Sequence, residues 1–162
     1  MSLSRNIVAT YRRPRLVMER LLSLGQREDR ALAYLMGACV LMFVAQTPRL
    51  AREAHLTGQE LNMLMGATLL AWVFIAPLLL YGLAALGRFL GRLLGGQGNM
   101  YAARLALFWA LLAASPLVLL HGLVAGFIGP GLELQAVGII WCVAFLWFWG
   151  AGLWASERPR TV

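Results

Sequence analysis

Residues 63–87, MLMGATLLAWVFIAPLLLYGLAALG, run for 25 positions without a formal charge. At 1.5 Å per residue such a run makes about 37 Å of helix, more than the roughly 30 Å of hydrocarbon in a bilayer. Three further apolar runs flank it, from Ala31 to Pro48, from Leu105 to Ile128 and from Ala136 to Ala155. The whole 162-residue chain is 60% hydrophobic and 13% charged, against about 45–50% and about 25% in an ordinary soluble domain. A soluble globule of this size could not bury that much apolar surface. The sequence therefore predicts an all-α integral membrane protein with four transmembrane helices, at 31–48, 63–87, 105–128 and 136–155. No length is left for a separate soluble catalytic domain.

Outward from these runs, residues 1–30 form a basic head with seven arginines against Glu19, Glu28 and Asp29. Its basic part is too long, and Phe43-Val44-Ala45 too bulky, for a cleaved secretory signal. Pro14 is suited to open a helix, and Leu16, Val17, Leu21 and Leu24 recur at helical spacing. Pro14 to Leu24 thus reads as an amphipathic helix lying on the membrane surface and ended by Gly25. Span one is the shortest, with Gln46, Thr47 and Pro48 at its outer end. Pro77 predicts a kink near residues 73–77 of span two, and Gly95-Gly96-Gln97-Gly98 a turn after it. Pro116 lies inside span three, which Gly129-Pro130-Gly131 terminates. A short tail, 156–162, follows span four.

All 14 basic residues are arginine. The head holds seven, the 88–104 connector three and the tail two, while Arg49 and Arg52 alone fall on the other side. The positive-inside rule then predicts both termini in the cytoplasm, and the arginine-only basicity with the alternating charge suits a multi-pass protein of the bacterial inner membrane. The absence of lysine excludes Schiff-base chemistry and the phosphate loop that ends in Lys-Ser/Thr. Cys39 and Cys142 are far apart, and His55 and His121 are not spaced as a helical metal pair, so no disulfide, metal site or cofactor is expected. In a membrane chain the net charge of +7 speaks for orientation before nucleic acid, which is not expected as a partner.

Four groups of residues offer chemistry, each with a plain reading beside the functional one. Gly87, Gly91 and Gly95, and Ala102, Ala106, Ala110 and Ala114, recur every fourth position and permit close helix approach. Packing of spans two and three on each other is the plain reading, and a face for a second copy or another membrane protein the alternative. Gly122 and Gly126 offer the same further along. Arg88, Arg92 and Arg104 crowd one connector, either as topogenic charge or as a surface for anionic lipid headgroups. His121, with Ser115 nearby in sequence, is an ionisable group at membrane depth, either a hydrogen-bonded packing residue or a ligand. Trp141, Trp147 and Trp149 belong to a dense aromatic span, facing lipid or contacting a quinone, pigment or partner subunit.

Tyr11-Arg12-Arg13-Pro14 leading into Arg20-Leu21-Leu22, Glu28-Asp29-Arg30-Ala31-Leu32 entering span one, Ser115-Pro116-Leu117 in span three and the tryptophan-rich last span resemble the bacterial branch of the Yip-domain family. The family takes its name from interaction with Ypt/Rab GTPases in eukaryotes. Its Asp-Leu-Tyr-Gly-Pro element is absent from this sequence, so GTPase binding does not carry over. The resemblance implies a polytopic membrane protein concerned with membrane organisation or partner recruitment, and brings no catalytic residue. The expected function is therefore non-enzymatic, through helix–helix and lipid contacts, with membrane lipids, a second copy or a larger complex as partners. Two alternatives stay open: an accessory subunit of a respiratory or photosynthetic complex, and a small transporter or lipid-handling protein.

Overall fold

The computed structural model describes residues 3–157, and every regular element among them is helical. Two short helices, α1 (Leu3–Arg12) and α2 (Pro14–Ser23), precede α3 (Glu28–Thr57). Then come α4 (Leu61–Leu70), a π turn at Ala71–Ile75, α5 (Ala76–Leu93), α6 (Met100–Ala113), α7 (Ser115–Phe127) and α8 (Leu132–Glu157). Three helices are long and apolar enough to cross a membrane: Glu28–Thr57, Leu61–Leu93 and Leu132–Glu157. The bent pair α6–α7 makes a fourth if it counts as one span. The tail residues Arg158, Pro159 and Arg160 lie outside the described residues.

Pro48 does not end the first long helix, contrary to the expected 31–48 span. Proline lacks the N–H that would bond the carbonyl of Val44, four residues back. Thr47 supplies the missing donor, its hydroxyl reaching Val44 O at 2.7 Å, and α3 continues to Thr57. Gly58 then caps it in the left-handed region (φ +70°), its N–H bonding Ala54 O at 3.0 Å. At Pro77 the expected kink takes the form of the π turn immediately before it. The N–H of Ala76 bonds the carbonyl of Ala71, five residues back, so the helix widens by one residue and Leu61–Leu93 stays a single helix.

Pro116 acts differently. The expected span 105–128 is two helices meeting at Ala114 at 43°. α6 is the centre of the molecule: from Tyr101 to Ala113 every residue but Arg104 is buried. α7 instead lies along α3. The pair runs the length of α3, since Arg104 pairs with Glu28 at one end and Arg52 donates to Gly126 O at the other, at 3.3 Å.

The head is not a helix lying alone on a surface. Val17, Met18, Leu21 and Leu22 of α2 belong to the same core as Leu35 and Phe108, and α2 packs on α8. α1 was not foreseen, and it sits on the flank of the bundle. Trp109 Nε1 donates to Thr10 Oγ1 at 3.1 Å, and Tyr11 packs edge-on to Phe148 with ring centroids 4.9 Å apart. Phe148 is nine residues from the end of α8, about 14 Å along the helix. Burial there raises the pKa of the Tyr11 phenol above its ordinary value.

Candidate functional site

Spans two and three do pack on each other, through α5 and α6, while the small-residue stripes themselves look largely toward α8. A side chain at Gly87 would meet Trp149 at 3.2 Å, and one at Gly91 would meet the Glu157 carboxylate at 2.8 Å, while Gly95 faces open space. Ala106 faces Gly152, 3.2 Å from where its Cβ would stand. Ala110 and Ala114 close around Phe148. The tightest approach is elsewhere: Cβ atoms built on Gly122 and Gly126 would strike the backbone of Ala45 and Pro48. Those two glycines let α7 and α3 touch backbone to backbone.

Because Gly87 and Gly91 carry no side chain, a groove of about 630 Å³ opens between α5 and α8, walled by Leu90, Leu94, Trp149, Leu153 and Trp154. Its floor is polar. Glu157 Oε2 accepts from Arg88 at 3.0 Å and from the Gly98 amide at 2.9 Å, and the two charged side chains are only 12% and 16% exposed. Gln97 N–H also bonds the Glu157 carbonyl, at 3.2 Å. This clasp ties the end of α8 to the turn after α5, where Gly95 takes φ +81°.

The three connector arginines accordingly do not form one free cationic patch. Arg88 is held by Glu157 and Arg104 by Glu28, while Arg92 is exposed. A different basic cluster appears in the head, where Arg12, Arg13 and Arg15 share a recess with Trp147 and Ala151. Sequence spacing carried no sign of it, because the partner tryptophan is more than 130 residues away.

Ser115 is buried and His121 half-buried. Six residues along one helix leave them about 120° apart around its axis, so they point to different faces and build no common site. His121 Nε2 lies 3.4 Å from where a Cβ on Gly138 would stand, which makes it a packing contact between α7 and α8. Among the described residues no group of three His, Cys, Asp or Glu side chains could hold a metal ion.

The aromatic span splits in two. Trp141, Phe145 and Trp149 form a ladder at four-residue spacing, stacked at 5.7 and 5.9 Å between centroids, and pack partly buried against the core. Trp147 turns the other way and is 54% exposed. The groove between α5 and α8 is thus walled mainly by apolar side chains, and the recess in the head mainly by arginines. Comparison with protein-family models, curated proteins and solved structures finds no match to this chain.

Proposed function

We propose that the protein is a non-enzymatic, multi-pass protein of the bacterial inner membrane, on the bacterial branch of the Yip-domain family, that organises membrane or recruits partners through helix and lipid contacts. The observation that carries this reading is the Leu61–Leu93 helix, in which only Ala84 and Gly87 are buried. A helix so apolar and so little used within its own bundle is a surface offered to lipid or to another membrane helix. The run of α6–α7 along the whole of α3 supports four crossings, and the arginine distribution supports cytoplasmic termini.

The reading is tested by extracting the protein into lipid nanodiscs directly from native membrane and identifying what stays bound. Lipid together with substoichiometric protein partners is the expected result. A stoichiometric partner carrying a redox centre would replace this reading with the accessory-subunit one, which the outward-facing Trp147 favours. Single cysteines in a background lacking Cys39 and Cys142 test the topology. Those at Gln59 and Pro130 should react with an impermeant thiol reagent in intact cells, and those at Gln26 and Gln97 should not. Protection of all four, or reaction at Gln97, would overturn the four-crossing arrangement.

A further inference from the structure

The junction of α1 and α2 gathers positive charge. α1 ends at Arg12, Arg13 is the non-helical joint (φ −142°, ψ 67°), and α2 opens at Pro14. The recess there, about 310 Å³, is lined by Arg12, Arg13, Arg15 and Leu16 from the head and by Trp147 and Ala151 from α8. Among the described residues no carboxylate lines it. All three arginines are exposed, and no side chain caps α2, so the partial positive charge of that helix end faces the same recess.

The far wall is unlike that of a site for a soluble anion. Trp147 continues an outward apolar strip of α8 with Val143 and Leu146, each more than half exposed. The Arg15 guanidinium lies over the ring of Trp154, 3.7 Å from its centroid. Trp154 is seven residues closer than Trp147 to the α8 end that holds the Glu157 clasp, about 10 Å along the helix. Arg15 thus reaches along α8 toward that end, away from Val143 and Leu146. Tryptophan beside arginine at one depth is also the composition of a membrane interface.

We infer that Arg12 and Arg13 bind the phosphate of an anionic glycerophospholipid whose acyl chains lie against Leu146 and Trp147 of α8. This lipid site is separate from the groove between α5 and α8, and it takes the place of the connector arginines, two of which are already neutralised within the protein. The inference rests on the membrane reading above. Each arginine is worth about fivefold in affinity for an anionic headgroup.

The experiment delipidates the protein in mild detergent, adds phosphatidylglycerol or phosphatidylcholine, and counts retained lipid by native mass spectrometry. Wild type should keep phosphatidylglycerol selectively, Arg12→Gln/Arg13→Gln should lose roughly 25-fold of that selectivity, and Arg92→Gln should keep it. Arg15 stays unchanged because it packs on Trp154. Should the double variant aggregate, Trp147→Ala tests the same recess and should likewise lose the lipid. Equal retention of both lipids by wild type, undiminished selectivity in a folded variant, or displacement of the lipid by inorganic phosphate alone would overturn the site. Release of wild type from membranes by alkaline carbonate would overturn the membrane reading as well, which separates the two failures.

Discussion

The α4–α5 and α6–α7 segments are alike in sequence, each a long apolar run interrupted by one proline, and unlike in the folded chain. In α4–α5 the proline is absorbed by a π turn and the helix stays whole, with two buried residues in 33. In α6–α7 the helix breaks at Ala114, and its first half is enclosed on every side. The difference lies in what surrounds each proline. α6 is fixed by α1, α3, α5 and α8, while α7 gains its backbone seam with α3 only by turning away at the proline. α4–α5 has no such seam to reach, so the smaller distortion suffices. Hydrophobicity does not separate enclosed from lipid-facing helices in a membrane, because lipid tails are as apolar as a protein core. Side-chain size does: α6 brings Ala102, Ala103, Ala106, Ala110 and Ala113 to its neighbours, whereas α4–α5 turns Phe74, Ile75, Leu78 and Leu79 outward.

The same substitution should therefore have opposite outcomes in the two segments. Gly122→Leu must separate α7 from α3, at a cost of about 3 kcal/mol or more, and should leave no monodisperse protein on gel filtration. Gly66→Leu, on α4 with nothing within 4 Å of its Cβ position, should elute as wild type. If both behave alike, the seam is not where the bundle is held.

Truncating a phenylalanine gives the next largest contrast. Phe108→Ala in the centre of α6 leaves a cavity and should cost about 3 kcal/mol, read as a fall in melting temperature in mild detergent. Phe74→Ala, at a side chain 65% exposed, should change the melt by less than about 0.5 kcal/mol. A large effect of Phe74→Ala on purified protein would mean that α4–α5 is covered by a second copy.

The clasp that ties the end of α8 to α5 and the turn after it is the third test. Glu157→Gln leaves Arg88 without its counter-charge in a poorly solvated place and should cost about 2 kcal/mol, with the Arg88→Met/Glu157→Met double variant more stable than the single Glu157→Gln variant. The smallest effects should come from the prolines themselves. Pro77→Ala should be nearly neutral, while Pro116→Ala should cost about 1 kcal/mol, because an unbroken helix would pull α7 from its seam. Equal effects would indicate that the two breaks do the same job.

Much of the helical framework was legible because it follows from chain-local causes. Residues 63–87 announce a long apolar helix, Gly95 and Gly129 take the positive φ that ends one, and Pro116 marks a weak point. The passage of α3 through Pro48 was legible in principle, since a threonine just before the proline can supply the donor that proline lacks. What spacing could not give was partnership. The glycine and alanine stripes identify faces that tolerate close approach, and α5 and α6 do pack on each other, yet that α8 also fills them depends on the packing of the whole bundle. The recess of Arg12, Arg13 and Arg15 was out of reach for the same reason, as half of it belongs to the last helix.

The contact between Tyr11 and Phe148 also sets a timetable for synthesis. Their positions are 137 residues apart, so at about 5–20 residues per second a ribosome takes roughly 7 to 30 s to make the second after the first. Throughout that interval α1 and α2 exist without α8, and the apolar face of α2 has no finished bundle to join. The first helices to emerge must wait for the last to arrive, and the last helix is the one that closes the molecule.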